Sequence, residues 1–310
     1  MDLQYISQYI KNEALAIGFD YCGIAKVDFL KEQESRLQQW LDAEMHADMH
    51  YMNNNTDKRL NPTLLVENAK SMISLAVNYF PKHQQIENTY KIAKYAYGKD
   101  YHEVIKEKLY TLLAYIQTIL PHANGRVFVD SAPVMEKAWA QRAGLAWQGK
   151  NSCLIIKKAG SFFFFAEIII DEVLQYDSPV EKSFCGNCNR CVQACPTQAI
   201  ISDGVIDANK CISYITIENK NEIPTSFNGK MNNWIYGCDI CQDVCPHNKF
   251  SKANTIDAFT PHPKLLCMQK QEWENLNLET YNEIFRKSAV KRAKFAGLKR
   301  NIDFVKNQST

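Results

Sequence analysis

Residues 185–196 read CGNCNRCVQACP, which places four cysteines at the spacing C-x2-C-x2-C-x3-C and a proline directly after the last one. This spacing is typical of bacterial ferredoxins, in which three cysteines bind one 4Fe-4S cluster and the fourth binds the neighbouring cluster. The short spacings let one tight loop supply three thiolates from different directions, as an iron–sulfur cubane requires. The segment therefore predicts iron–sulfur chemistry.

A second, incomplete copy of this motif, CDICQDVCP, occupies residues 238–246. Its first cysteine is missing because position 235 is Ile235, and Cys211 is the replacement that brings the total to eight. The ferredoxin crossing rule then gives each cluster three cysteines from one group and one from the other. One predicted set is Cys185, Cys188, Cys191 and Cys245, and the other is Cys195, Cys211, Cys238 and Cys241.

Structural zinc is the alternative interpretation, because zinc sites also use four cysteines and x2 spacings. Two interleaved sites with an x3-proline spacing favour iron–sulfur clusters. A disulfide framework is not expected, since such frameworks belong to small secreted domains. The remaining cysteines, Cys22, Cys153 and Cys267, are isolated in the sequence and are predicted to be buried, unreactive thiols.

The composition is that of a globular protein with more than one domain: 310 residues, 46% of them hydrophobic and 23% charged. A formal net charge of +2 excludes strong long-range steering by the molecule as a whole. Residues 1–20 read as an amphipathic helix and not as a secretory signal. No apolar run approaches the ~20 residues that span a bilayer. We therefore expect a cytoplasmic protein without a membrane segment.

Helical and strand patterns alternate before the cysteine motifs. Residues 71–80 and 126–130 read as strands, and apolar residues recur at helical spacing over 104–116. Residues 153–157 and 162–170 predict the two strands of a hairpin.

The composition changes abruptly at a polar linker over residues 176–182. The predicted fold class is α+β. It comprises an N-terminal α/β domain over 1–175, a ferredoxin-like domain with two 4Fe-4S clusters over 176–255, and a short helical C-terminal segment with a basic face over 256–310.

The C-terminal segment contains a basic window over residues 285–300 that holds no acidic residue. A helix with this face can contact RNA phosphates, whereas the alternative is a solvated C-terminal helix. The window contains Arg286, Lys287, Lys291, Arg292, Lys294, Lys299 and Arg300.

Four segments taken together resemble the epoxyqueuosine reductase family, and the similarity runs from near the N-terminus to about residue 300. They are residues 94–109 (KYAYGKDYHEVIKEKL), 126–155 (RVFVDSAPVMEKAWAQRAGLAWQGKNSCLI), 185–200 (CGNCNRCVQACPTQAI) and 236–249 (YGCDICQDVCPHNK). The resemblance implies a cobalamin between the N-terminal and ferredoxin domains. It also implies the reduction of epoxyqueuosine to queuosine at the wobble position of tRNA. The expected partners are a queuosine-type tRNA anticodon loop and an external electron donor such as a flavodoxin or ferredoxin, and we expect a monomer.

The resemblance also implies roles for individual residues. Asp130 matches the family's proton donor, although an aspartate before a helix is otherwise most often a helix cap. We expect burial against the cofactor to raise the pKa of Asp130. Cobalamin contacts are implied for Arg59, Asp130, Gly149, Leu154 and Phe165 in the N-terminal domain, and for Ser213, Ile217, Asp239 and Ile240 in the ferredoxin domain.

Two other functions stay open from the sequence. One is a different corrinoid and iron–sulfur reductase, of the reductive dehalogenase type, although those usually carry a twin-arginine export signal that is absent here. The other is a non-enzymatic electron-transfer protein with two clusters.

Overall fold

The fold is known from a computed structural model that describes residues 2–308. Within that range the helices are α1 (Leu3–Ile17), α2 (Lys31–Asp42), α3 (Thr56–Leu60), α4 (Tyr101–Ile119), α5 (Glu136–Arg142), α6 (Arg190–Ala194), α7 (Ile212–Ile217), α8 (Ile240–Asp243), α9 (Pro263–Cys267), α10 (Lys270–Glu274), α11 (Leu278–Phe285) and α12 (Lys294–Lys306). The strands are β1 (Tyr21–Lys26), β2 (Ser71–Asn78), β3 (Lys91–Ile92), β4 (Gly125–Phe128), β5 (Trp147–Gln148), β6 (Leu154–Ile155), β7 (Phe163–Ile170), β8 (Ile200–Ser202), β9 (Val205–Ile206) and β10 (Trp234–Tyr236).

The N-terminal half is organised around a four-stranded sheet in the order β1-β2-β7-β4. Every neighbouring pair in this sheet is antiparallel, so the class is α+β, as predicted. Strands β2 and β7 are central and consist mainly of apolar residues, because both of their faces are covered by protein.

Helices cover both faces of the sheet. On one face, α1 and α4 bury Ile10 and Leu109 against Ile73 and Ile168. On the other face, α5 buries Trp139 against the sheet. Each such side chain contributes about 1.5–3 kcal/mol when it is fully buried. The periodic apolar residues of α1 and α4 are confirmed as the buried stripes of two helices.

A second hydrophobic core joins residues 90–97 to the chain after residue 208. Strand β3 pairs in parallel with β10, and the C-terminal helices pack on the same core through Trp273, Phe285 and Leu298. The boundaries predicted at residues 175 and 255 stay predictions. The core nevertheless binds the C-terminal segment tightly to the cysteine-bearing part of the chain.

Two predicted elements are wrong. Strand β7 does not form a hairpin with β6; it lies between β2 and β4, while β6 pairs with β5. The basic window is not one helix, because α11 ends at Phe285 and a 3-10 turn over Ala289–Ala293 precedes α12. Among residues 2–308, no helix combines the length and the apolar character needed to cross a membrane.

Candidate cluster and proton-transfer site

The first predicted cysteine set lines a single cavity. Five other residues complete the wall of this cavity: Lys150, Asn151, Ile155, Pro246 and His247. The pKa of Cys191 is raised by burial and then by the charges of Cys185 and Cys245, which places these thiols close together. The four cysteines of the cavity are Cys185, Cys188, Cys191 and Cys245.

The second set lies deeper in the protein. Burial raises the pKa of Cys238, and the charges of Cys211 and Cys195 raise it further. Buried neighbours surround this set: Ile212 is 2% exposed and Asp239 is 1% exposed. The structure thus brings Cys195, Cys211, Cys238 and Cys241 together in the grouping that the sequence predicted, and their role as ligands stays a prediction.

None of the described cysteines forms a disulfide, so all eight thiols are available as ligands. In residues 2–308, no group of three or more His, Cys, Asp or Glu side chains is arranged to hold a single metal ion. A cubane is larger than one ion and takes thiolates from several directions, and the two sets of four fit that donor chemistry.

Cys153 is not isolated in the structure. A hydrogen bond joins it to Cys241, and this contact is the largest influence on the pKa of both thiols. Asn151 in the same segment donates its side-chain N–H to the Cys241 carbonyl oxygen at 3.1 Å. Residues 149–155 therefore contact both cysteine sets. Cys267, which was predicted to be buried, is exposed on the short helix α9, so that prediction is wrong.

Asp130 follows β4 and has a left-handed backbone with φ of 51°. Such a conformation is uncommon for a residue other than glycine and is concentrated at functional sites. Its backbone N–H donates to Glu136 Oε1 at 2.5 Å, which helps to hold the loop. The residue does not cap α5, whose N-cap is Met135, so the helix-capping alternative is wrong.

Two neighbouring residues at the start of α4 meet Asp130. Tyr101 donates its hydroxyl hydrogen to Asp130 Oδ2, and His102 Nε2 lies 3.2 Å from the same oxygen. The other ring nitrogen of His102, Nδ1, lies 2.7 Å from Asp100 Oδ1. The imidazole thus bridges two carboxylates, and its protonated form can donate to both. No pattern within the segment DYH (residues 100–102) marks Tyr101 or His102 as a partner of Asp130.

These contacts decide where the proton resides. Burial lowers the pKa of His102, but the two carboxylates outweigh it and raise the pKa to about 9. Burial raises the pKa of Asp130, but hydrogen bonds from His102 and Tyr101 outweigh it, and the pKa is lowered. Without the cofactor, the pKa of Asp130 is thus lowered. The rise in this pKa that we expect on burial against the cofactor stays a prediction.

Two further carboxyl groups lie behind Asp130. Burial and the charge of Asp130 raise the pKa of Glu136 to about 8. Glu167 in the middle of β7 is completely buried, and both of its carboxyl oxygens lack a hydrogen-bond partner among the described residues. Burial, followed by the charge of Glu136, raises the pKa of Glu167 well above its ordinary value. The site thus contains two carboxyl groups whose pKa is lowered, Asp100 and Asp130, and two whose pKa is raised, Glu136 and Glu167.

Arg59 lies on the same side of the molecule. Its side chain donates to the Tyr51 carbonyl oxygen at 3.0 Å, and the charges of Arg59 and Asp130 both affect the pKa of Tyr51. The Arg59 Nε atom is buried and has no partner among residues 2–308. A buried donor without a partner is costly, so this atom fits a site that holds a polar ligand group.

The other residues implied as cobalamin contacts occupy several elements. Leu154 and Phe165 pack in one small apolar cluster, and Asp239 accepts hydrogen bonds from the buried Lys94. Gly149 is closely covered, since a Cβ there would lie 2.6 Å from Ile155 Cδ1. Ser213, Ile217 and Ile240 are half-buried on α7 and α8, and all these contacts stay predictions.

The basic window splits into two groups. Arg300 donates to three backbone carbonyls and Arg292 forms a two-pronged pair with Glu218, so these side chains serve the fold. Lys299 is likewise paired with Asp303. Four exposed side chains form no ion pair within the described chain: Arg286, Lys287, Lys291 and Lys294. The Lys287 carbonyl oxygen accepts from Asp100 N at 2.5 Å, which places this segment beside the Asp130 site.

Two family models match separate parts of the chain. Residues 59–131 match the family described as Epoxyqueuosine reductase QueG, DUF1730, and residues 184–248 match the family described as 4Fe-4S double cluster binding domain. The second match decides against structural zinc.

Similar proteins align over nearly the whole chain. The epoxyqueuosine reductase of Cellulophaga algicola is 55% identical over 300 residues, which cover 97% of this chain and 98% of that protein. The epoxyqueuosine reductase of Escherichia coli is 38% identical over 308 residues, which cover 97% of this chain and 81% of that protein. A crystal structure of epoxyqueuosine reductase with a modified tRNA-Tyr stem loop has a TM-score of 0.90 and 27% identity, and covers 97% of this chain and 80% of that one.

Proposed function

Because this chain belongs to the epoxyqueuosine reductase family and reduces epoxyqueuosine to queuosine, we propose that Asp130 and His102 together deliver protons to the oxygen that leaves the substrate. The enzyme uses two 4Fe-4S clusters and cobalamin. When bound, these cofactors supply low-potential electrons to the substrate. Membership of this family excludes both alternative functions, that of a reductive dehalogenase and that of a simple electron carrier.

The reaction requires a proton source because an epoxide takes up two electrons and two protons when it becomes an alkene and water. His102 Nε2 holds a proton at neutral pH and lies 3.2 Å from Asp130 Oδ2. One of the two protons passes from Nε2 to Oδ2, and the carboxyl group then donates it to the epoxide oxygen. The 3.2 Å between His102 Nε2 and Asp130 Oδ2 is within hydrogen-bond reach for the first of these transfers. The same pair delivers the second proton after His102 has taken up a proton from solvent. The observation that carries this proposal is that His102 and Tyr101 both contact Asp130 Oδ2.

Substrate binding favours the first transfer. The Asp130 side chain is 56% exposed, so water still solvates its carboxylate. Covering the site removes that water, which disfavours the anion and raises the pKa of Asp130 towards that of His102. The expected acid is thus created in the complex, whereas Tyr101 stays protonated because burial and the Asp130 charge raise its pKa.

The residues that hold the cofactors follow from the two cysteine sets and the surrounding site. We infer that each set of four cysteines binds one cluster. Arg59 offers its buried Nε atom to a polar group of cobalamin, and Gly149, Leu154, Phe165, Ser213, Ile217, Asp239 and Ile240 complete the proposed contacts.

For tRNA, the supporting observation is the position of the exposed basic side chains next to the Asp130 site. Three of these side chains, Lys287, Lys291 and Lys294, are exposed. The Lys287 carbonyl oxygen accepts a hydrogen bond from the backbone N–H of Asp100. Such side chains bind phosphates and release counterions. The relative in the tRNA-bound crystal structure binds a tRNA stem loop, and we infer that this chain binds the same class of substrate.

Other partners follow from the chemistry of the clusters. The electrons must come from outside the chain, and we infer a flavodoxin or ferredoxin as the donor. We also infer a monomer and a cytoplasmic location, where eight thiolates are kept reduced.

The test is a reaction of the anaerobically reconstituted enzyme with cobalamin, a strong reductant and epoxyqueuosine-containing tRNA. Nucleoside mass analysis measures queuosine. We expect Asp130→Asn to retain iron and cobalamin and to lose activity by about 10²–10⁴-fold, since a general acid contributes that much. The matched control Asp42→Asn, on exposed α2, should be unchanged. Full activity of Asp130→Asn would remove the proposed acid.

A further inference from the structure

We propose that the exposed rim around the first cysteine set is the docking site for an acidic one-electron carrier protein, an inference that rests on the proposed function. The basic rim is defined by five exposed cations and one aromatic ring: Lys157, Lys158, Lys182, Arg190, Lys249 and Phe184.

The aromatic part of the rim is built onto the wall of the cysteine cavity. Phe184 directly precedes Cys185 and is 46% exposed. Its ring lies edge-on to Trp147 at 5.0 Å between centroids, and its carbonyl oxygen accepts from His247 Nε2 at 3.2 Å. His247 itself lines the cavity. An exposed ring held in this way offers a flat apolar contact next to the cluster site.

The cations of the rim lie on chain segments that contact or flank this ring. Lys157 Nζ lies 4.9 Å from the centroid of Phe184. The turn that carries Lys157 and Lys158 is held against the segment Pro246–Phe250, because Ser161 N donates to Asn248 Oδ1 at 2.6 Å. Lys249 belongs to that segment, and Lys182 and Arg190 flank the first cysteines in sequence.

The charges of the rim are not neutralised by the protein. Within residues 2–308, none of its five cations forms an ion pair. Exposed acids also occur in this part of the chain: Asp203 lies 3.5 Å from Lys150, Asp243 lies 2.7 Å from Lys94 Nζ, and Glu181 precedes Lys182 in sequence. The whole chain carries a net charge of only +2, so the positive charge of the rim is a local excess. Complementary charge steers association and sets the orientation of the partner.

Electron entry through this rim fits the depth of the two cysteine sets. Gly186, Asn187 and Asn189, between the first cysteines, are all exposed, whereas Asp239 and Gln242, between the later ones, are buried. One electron passes from the donor's cofactor to the cluster at the first set, and the donor is oxidised as the cluster is reduced. No bond breaks and no proton moves in this step.

A charge-reversed pair tests the proposal. We expect the double variant Lys157→Glu with Lys249→Glu, prepared as holoenzyme, to be reduced more slowly than wild type by a fully reduced acidic flavodoxin. Cluster reduction is measured as the loss of cluster absorbance in anaerobic stopped flow. The second-order rate constant should fall about tenfold at low ionic strength, and approach the wild-type value at high salt, where screening acts. The affinity for oxidised flavodoxin, measured by calorimetry, should fall in parallel.

The controls separate docking from the proposed function. Lys26→Glu with Lys106→Glu reverses two exposed charges on β1 and α4 and should leave the flavodoxin rate unchanged. Reduced viologen, a small donor, should reduce the rim variant no more slowly than wild type. Equal flavodoxin rates for rim variant, control and wild type would overturn the docking site. A rim variant that is reduced by flavodoxin at the wild-type rate but binds tRNA more weakly would also overturn the docking site. A wild-type enzyme that is reduced normally but forms no queuosine would refute the function and not the docking site.

Discussion

At the scale of single residues, the protonation of Asp130 depends on three side chains that touch it or its partner. Tyr101 and His102 both meet Oδ2, and Asp100 holds the far side of the imidazole. A histidine between two carboxylates retains its proton to a higher pH than a free histidine does. The proposed proton transfer therefore depends on the Asp130–His102 pair and not on the aspartate alone.

The pH dependence of turnover should reflect this pair. His102 has a pKa of about 9, above its ordinary value of 6.5, so the proton is present below that pH and is lost as the pH rises through about 9. We expect the single-turnover rate constant to fall as the pH rises, with a midpoint near the pKa of His102. His102→Gln should abolish this limb of the profile and lower the rate. An unchanged alkaline limb in His102→Gln would exclude the histidine as the proton source.

Cluster assembly should identify the eighth ligand. Cys211 and Cys153 are both close to Cys241, so both are candidates by position. We expect Cys211→Ser to lose about half of the iron of the reconstituted protein, since one of two cubanes loses a ligand. Cys267→Ser is the matched control, because Cys267 is exposed and donates only to carbonyls of its own helix. Full iron content in Cys211→Ser would refute the assignment.

Cys153 should tune the second cluster without binding it. When Cys241 is a thiolate ligand, the Cys153 thiol can donate a hydrogen bond to it. Hydrogen bonds to cluster sulfurs raise the reduction potential. We expect Cys153→Ala to keep its iron and to lower the potential of one cluster by tens of millivolts in an anaerobic titration followed by EPR. A loss of iron would instead make Cys153 a ligand.

At the scale of elements, a buried ion pair connects the segment before α4 to the second cysteine motif. Lys94 Nζ lies 2.7 Å from Asp243 Oδ1 and 3.4 Å from Asp239 Oδ2. The Lys94 backbone N–H also donates to Asp239. Because Asp239 follows Cys238 directly, this contact fixes the cysteine loop relative to the start of α4 and so to His102.

Removal of this lysine should destabilise the protein. Lys94→Met leaves Asp239 buried without its cation, which costs roughly 3–5 kcal/mol of unfolding free energy in comparable pairs. Denaturant unfolding of the anaerobically reconstituted protein measures the change. Lys91→Met is the control, since Lys91 is exposed and only covers the Trp234 ring, a contact worth about 0.5–1 kcal/mol. Equal midpoints for the two variants would show that the pair does not stabilise the junction.

At the level of the whole molecule, the segment 149–155 joins the two cysteine sets, since Asn151 and Ile155 line the first cavity while Asn151 and Cys153 contact Cys241. The basic rim adjoins the first set. The exposed lysines of the C-terminal segment lie beside Asp100 and so next to the Asp130 site. The proposed surfaces for the electron donor and for tRNA therefore consist of different residues.

The tRNA surface should reveal itself by its salt dependence. Each phosphate contact that is lost reduces the slope of log affinity against log salt by about 1 or slightly less. We expect Lys291→Ala with Lys294→Ala to reduce that slope by about 1–2 in filter binding of epoxyqueuosine-containing tRNA. Lys106→Ala on α4 is the matched control. An unchanged slope in the double variant would remove these lysines from the interface.

Features that depend on local spacing could be predicted from the amino-acid sequence. The x2 and x3 intervals between cysteines, with proline after the last, define the cluster chemistry because a short loop must supply several thiolates at once. The apolar periodicity of α1 and α4 and the apolar runs of β2 and β7 likewise follow from the geometry of one element. A resemblance spread over four segments then indicated the family.

Which distant residues meet depends on the packing of the whole chain and could not be predicted from the sequence. Strand β7 lies between β2 and β4, and not in a hairpin with β6, because sheet order depends on which faces the helices cover. Tyr101 and His102 reach Asp130 from a distant part of the chain and lower the pKa of that aspartate. Arg300, which looked like an RNA contact, is held by backbone carbonyls in the fold. Contacts of this kind arise from packing between elements, and no period or spacing within one element encodes them.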